Sequence, residues 1–268
     1  MLAPINQYFD HLINTHTVWL VISVIGAVLL HNILAECHYF IVDLNRSKKH
    51  QQWAYKHRWK YKANKDQALY RRYRFLEGLL TKPSKLSQAI YPCAVHSFQR
   101  SWKSYRAIAY TRYSKVATTR ENGSHPRSKK ISRHYQAITL IHTQGDFPTL
   151  LLYPYGWTDR LFEFVTWIVT WIAPSPRTFV TLTNKQSGKK YQISADDYTA
   201  IEQFAHAEMM DYLFEHPGLE IKLGKDAIAL YQKGRLKPEN IERNLEHLHQ
   251  IHTRLPPSWK SEEKTDVA

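Results

Sequence analysis

The run Val18–Leu30 (VWLVISVIGAVLL) carries no charge. After His31 and Asn32 the apolar character resumes at Ile33-Leu34-Ala35 and again at Tyr39-Phe40-Ile41-Val42. A hydrocarbon core about 30 Å thick takes about 20 residues of helix to cross. Residues 17–36 meet that length when His31 and Asn32 lie near one end, where their side chains reach the headgroups. Trp19 and Tyr39 then flank the span as interfacial aromatics. The pattern predicts one transmembrane helix over 17–36, preceded by a short extracytoplasmic segment, 1–16.

Beyond the span the periodicity changes. Trp53, Tyr55, His57, Trp59 and Tyr61 alternate with Lys56, Arg58 and Lys60, which predicts a strand with one aromatic and one cationic face. Asp66 to Leu80 reads as a helix carrying Leu69, Tyr73, Leu76 and Leu80 on one side, with Pro83 and Ser84 as its stop. Residues 100–142 read as a long hairpin, with arms Tyr105–Tyr113 and Arg133–His142 joined by a basic connection over Lys115–Lys130 that contains Asn122-Gly123 and Pro126. Thr149–Tyr153 is a third strand. Leu161–Ala173 is strongly apolar; its length and its Glu163 argue against a second span, leaving a core element or one that dips into the bilayer interface.

Arg177–Asn184 and Lys189–Ile193 form strands across Gln186-Ser187-Gly188. A helix from Ser194 follows, apolar at Tyr198, Ile201, Ala205, Met209 and Leu213. Leu219–Leu223 and Ala227–Tyr231 are short strands separated by a turn at Gly224-Lys225-Asp226. The last helix starts at Pro238, suited to a first helical position, and buries Ile241, Leu245, Leu248 and Leu255. The fold class expected is α+β: one N-terminal transmembrane helix, then an antiparallel sheet packed against amphipathic helices. In domain terms, a basic juxtamembrane segment, 37–80, leads into a domain over 81–259 and a flexible tail, 260–268.

Charge orients this scheme. The chain has 37 Lys+Arg and 23 Asp+Glu, for a net +14. Residues 1–45 contribute −3, with no Lys or Arg; residues 46–133 contribute +20; residues 134–268 contribute −3. An evenly basic protein is thus excluded. Lys and Arg collect in cytoplasmic flanks, so the N-terminus is expected outside and the C-terminal domain in the cytoplasm. A cleaved signal peptide does not fit, because no basic residue precedes the apolar run and no small-x-small site follows it. Glu36 before Cys37 argues against lipidation at that cysteine. Cys37 and Cys93 alone imply no disulfide framework.

The anchor with its basic flank at Trp59-Lys60-Tyr61, the stretch Tyr191–Asp197 (YQISADD), Met209-Met210-Asp211-Tyr212-Leu213 and Tyr231–Glu239 (YQKGRLKPE) together resemble a family of bacterial single-pass membrane proteins of uncharacterised function. The resemblance implies an inner-membrane protein with an N-terminal anchor and a cytoplasmic α+β domain, and brings no activity with it.

The chemistry offered by the sequence is mainly electrostatic. Arg46, Lys48, Lys49, Lys56, Arg58, Lys60, Lys62, Arg71, Arg72 and Arg74 are the candidate residues for binding lipid or anions. A cation beside an anionic leaflet is worth about 1 kcal/mol, falling away within a Debye length; the same residues also serve simply to set topology. Aromatics interleaved with cations suit nucleic acid as well, and Arg100, Lys103, Arg106, Arg112 and Lys115 extend the patch. No nucleic-acid fold signature accompanies them, so nucleic acid is not the expected partner.

His247, His249 and His252 share the last helix with Glu242 and Glu246. Without a His-Glu-x-x-His arrangement or a nearby Cys they read as a solvated face, and no metal is assigned. Cys93, followed by His96, reads as a small buried residue, and no nucleophile elbow or phosphate loop is present. The expected function is therefore a membrane-anchored, non-enzymatic interaction or scaffold module. It has anionic phospholipid and a protein as partners, the sheet or last helix meeting the protein, and no cofactor. The alternative is a membrane-surface enzyme without a recognisable motif.

Overall fold

A computed structural model describes residues 3–74, 87–120, 128–154, 178–183, 188 and 190–260. The chain divides into two compact units, Met1–Gln52 and Trp53–Ala268. The first is helical throughout its described length. Helix α1 (Ala3–Lys56) runs through it and ends inside the second unit. From Thr17 onward α1 is long and apolar enough to cross a membrane. Its apolar side chains face outward, with Trp19, Leu20 and Phe40 at 64%, 65% and 65% exposure. Isolated in water, such an all-round apolar surface has nothing to bury against.

The second unit is an α+β domain around a seven-stranded antiparallel sheet. Its strands are β1 (Lys60–Lys62), β2 (Ser87–Trp102), β3 (Tyr105–Arg120), β4 (Ser128–Pro154), β5 (Thr178–Thr183), β6 (Lys190–Ala195) and β7 (Glu220–Lys233). The long strand β4 is central. Along one edge it pairs first with β3 and then, from Leu150 to Pro154, with β6; along the other it pairs with β7. β1 closes the β2 side and β5 the β6 side.

Alternation along the strands sorts two cores. Ala107, Ala109, Ala137, Ile141, Ile228 and Leu230 lie on one face, under α3 (Tyr198–Phe204), α4 (Ala207–Glu215) and α5 (Ile241–Arg254). Ile108, Tyr110, Ile138, Leu140, Ala227 and Ala229 lie on the other, where α2 (Gln67–Arg72) adds Leu69 and Tyr70, with Tyr73 just beyond it. Helix α5 lays Ile241, Leu245, Leu248 and Ile251 into the first face, a stripe of helical period. Its polar contribution is Asn244, 1% exposed. Asn244 exchanges amide hydrogen bonds with Gln232 on β7 at 3.2 and 3.1 Å and donates to Thr139 Oγ1 on β4 at 3.3 Å.

Several expectations are corrected. Trp53–Tyr61 is not a strand: α1 continues to Lys56, and only Lys60–Lys62 pair in the sheet. The aromatic spacing that suggested period two serves the helix instead, with the Trp53 and His57 rings stacked at 4.4 Å one turn apart. Trp59 N then donates to Ala54 O at 2.8 Å and Arg58 takes a φ of 58°, a left-handed exit from the helix. The compact unit therefore begins at Trp53 and incorporates the basic residues that follow. The helix from Asp66 is described only as far as Arg72, and the continuation to Leu80 lies outside the described residues. The expected hairpin gains β2 as a third arm.

Leu219–Leu223 and Ala227–Tyr231 are one strand, β7. The expected turn between them is an irregularity opposite a register shift in β4, with Lys225 at φ 52°. There β4 passes Gly145, where a Cβ would stand 2.5 Å from Trp259 O and 2.6 Å from Phe147 Cε1. Only glycine admits the short helical turn Pro257–Trp259 so close. The helix expected from Ser194 starts later, capped by Asp197, which accepts from Thr199 N at 3.1 Å. It breaks into α3 and α4 at Ala205-His206. The apolar run Leu161–Ala173 lies outside the described residues.

Candidate cationic surface

The basic residues of the flank are held in structure. Arg46, Lys48 and Lys49 lie on α1, the latter two exposed and Arg46 3.4 Å from Asp43. In the second unit Lys56, Arg58, Lys60, Lys62, Arg71, Arg72 and Arg74 are all exposed. Their spacing follows from what their neighbours bury. On β1, Tyr61 turns inward, its ring 4.9 Å from Phe98 and its hydroxyl 2.7 Å from His96 Nδ1, so that Lys60 and Lys62 take the opposite face. On α2, burial of Leu69 and Tyr70 leaves Arg71 and Arg72 outside.

Asp66 ties the two pieces together. Its Oδ1 accepts from Leu69 N at 2.9 Å as the N-cap of α2, its Oδ2 accepts from Lys62 Nζ at 2.8 Å, and its own N–H donates to Ala94 O at 2.7 Å. The Leu69 amide, then the Lys62 ammonium, hold this carboxyl below the usual carboxylate range. Lys56, Arg58, Lys60, Arg71 and Arg74 have no ion-pair partner among the described residues.

Four of the five residues that extend the patch have structural duties. Arg100 lies over the Trp59 ring at 5.4 Å, donates to His57 O at 3.0 Å and stands 3.7 Å from Glu242. Lys103 bonds Glu246 at 3.0 Å and covers the Trp102 ring; Arg106 reaches Gln99 and Arg112 reaches Gln136. Lys115 is exposed. Among the described residues, Lys56, Arg58, Lys60, Arg71 and Arg74 are thus open to a ligand, whereas Arg100, Lys103, Arg106 and Arg112 on β2 and β3 and the turn between them are engaged by neighbours.

The histidines of α5 are not a solvated face. His252 and His249 meet the Tyr105 hydroxyl of β3 at 3.0 and 3.3 Å, and Glu246 pairs with Lys103 and Gln250 rather than with either. Burial pushes His252 down to about 4 and lowers His249. No group of three or more His, Cys, Asp or Glu side chains poised to hold a metal occurs among the described residues. Cys93 is 2% exposed, its thiol pushed up by burial, while His96 is engaged by Tyr61.

Two features escape a linear reading. A groove of about 420 Å³ opens between Glu220, Tyr231, Lys233, Arg235, Lys237 and Asn240. Burial raises the Glu220 carboxyl above its usual range, and its Oε1 is enclosed without a hydrogen-bond partner. The second is a cluster of Tyr212, His216 and His247, whose members come from α4, its C-cap and α5. The i,i+4 spacing of Tyr212 and His216 was a visible signal; the approach of His247 is a product of topology.

No family model matches the chain, and no curated protein does. Among solved structures, the fold is similar to the crystal structure of the mycobacterial trehalose monomycolate transport factor A, TtfA, at 8% identity and a TM-score of 0.48, over 79% of this chain and 96% of that one.

Proposed function

We propose that the chain is a single-pass protein of the bacterial inner membrane, with its N-terminus outside and its α+β domain in the cytoplasm. The domain acts as a non-enzymatic interaction module apposed to anionic phospholipid through the basic residues between Arg46 and Arg74. One observation carries the reading: an outward-facing apolar helix is followed at once by cations that the fold leaves exposed, most of them without an ion-pair partner among the described residues. At about 1 kcal/mol for each cation near an anionic leaflet, four in contact supply ~4 kcal/mol. The absence of Lys and Arg before the helix supports the orientation. The apolar face of α5 is spent on the core, so a protein partner on that side meets Glu242, Arg243 and Glu246.

Reporter fusions to the full chain test the orientation. A cytoplasmic reporter active at the C-terminus and inactive at the N-terminus is expected; a periplasmic C-terminus would overturn the proposal.

A further inference from the structure

We propose that His216 and His247 form a two-imidazole binding site for a transition-metal ion of the Cu(II), Ni(II), Zn(II) class. His216 is the C-cap residue of α4 and His247 lies in α5; their ring centres are 5.0 Å apart at an interplanar angle of 68°. An imidazole nitrogen binds such an ion at about 2.0–2.1 Å, which puts the ion about 3.2 Å from each ring centre. Two rings on one ion at a near-tetrahedral angle then have centres about 5 Å apart, the separation found here.

Tyr212 prepares both rings. His216 Nδ1 lies 3.0 Å from Tyr212 O. A carbonyl oxygen can only accept, so that Nδ1 carries the proton and Nε2 keeps its lone pair. His247 Nδ1 lies 2.7 Å from the Tyr212 hydroxyl, which accepts from Nδ1–H when Nε2 is a ligand. A ligating histidine typically has its other nitrogen anchored in this way. Neither Nε2 has a hydrogen-bond partner among the described residues, and two protein ligands leave the remaining coordination positions to water.

The charges around the site are largely compensated. Arg254 lies over the Tyr212 ring at 4.7 Å but stands 3.6 Å from Glu208, and Glu246 is held by Lys103. Burial first, and then His216 and Arg243, lower the His247 pKa, and a metal ion binds the neutral form of an imidazole. Imidazole donors suit the later first-row ions and offer little to Mg(II).

The test is metal titration of the untagged full chain in mild detergent, by calorimetry and by electron paramagnetic resonance with Cu(II). One Cu(II) per chain bound more tightly than Ni(II) or Zn(II) is expected, with hyperfine structure from two imidazole nitrogens and no response to Mg(II). His216→Ala and His247→Ala should each weaken that site at least tenfold. Tyr212→Phe, which keeps the carbonyl anchor and removes the hydroxyl, should weaken it less. The resonance signature of the wild-type chain stands whether or not the variants fold. A spectrum showing no pair of imidazole nitrogens, or unchanged affinity in both histidine variants, would overturn the proposal.

Discussion

Lys62 Nζ lies 2.8 Å from Asp66 Oδ2, joining the edge strand β1 to the cap of α2. The contact makes the first basic stretch of the domain a folded corner of the sheet. Its exposed cations therefore project from a fixed frame, and their spacing is a property of the fold.

Asp66→Ala removes the cap of α2 and the Lys62 partner together. A lost N-cap costs about 0.5–2 kcal/mol, and the exposed ion pair adds little. The expected result is a loss of about 1–2 kcal/mol in urea unfolding, with Asp66→Asn keeping most of the cap. Equal stability of wild type and Asp66→Ala would show that α2 is held by Leu69 and Tyr70 alone.

Asn244→Ala should be more damaging. It leaves the Gln232 amide and the Thr139 hydroxyl without their buried partner, at about 1–3 kcal/mol for each group left unsatisfied. Asn244→Leu, which also overfills the space, should be no better. A change below about 0.5 kcal/mol would contradict the pairing of α5 with β7 described here.

Acid should weaken the domain over a defined window. Burial holds His252 at about 4 and lowers His247 and His249 below their ordinary 6.5. A depressed imidazole pKa means that the unfolded chain binds protons more readily than the folded one. Its stabilising contribution is complete above pH 6.5 and is lost as pH falls toward about 4. The depressed carboxyl of Asp66 acts in the same direction at still lower pH. Thermal midpoints should be level above about pH 7 and decline through that window, less steeply in His252→Gln. A level profile to pH 4 would contradict the burial of these rings.

How legible the protein was depended on range. The α+β class, the apolar helix, the arms of β3 and β4 and the stripe of α5 follow from local sequence: an uninterrupted apolar run for α1, apolar stretches bounded by turn residues for the strands, and one stripe of helical period for α5. β2 was missed because its alternation is broken by shifts between Ile90 and Cys93 and between Val95 and Phe98, with His96 at φ 50°. Trp53–Tyr61 misled because aromatics two apart also contain the four-residue spacing of Trp53 and His57. The basic residues were readable one by one. Which of them the fold leaves free was not: Arg100 is fastened by Trp59 and Glu242, and Glu242 is far away in sequence. Neither the Glu220 groove nor the meeting of His216 with His247 has any local signature, since each is assembled across the sheet or between helices.

The measurement that bears most directly on the account is flotation of residues 46–268 with phosphatidylglycerol vesicles. Binding should be clear at about 0.1 M salt and lost at about 1 M, as the Debye length falls from about 10 to 3 Å. Replacing Lys56, Arg58, Lys60, Arg71 and Arg74 by Gln should weaken it about thirtyfold even if only two of them touch the leaflet. Vesicles of phosphatidylcholine should not bind at all. Failure to float with anionic vesicles at low salt, or binding that ignores both salt and the five substitutions, would contradict a domain held to the membrane by its charge.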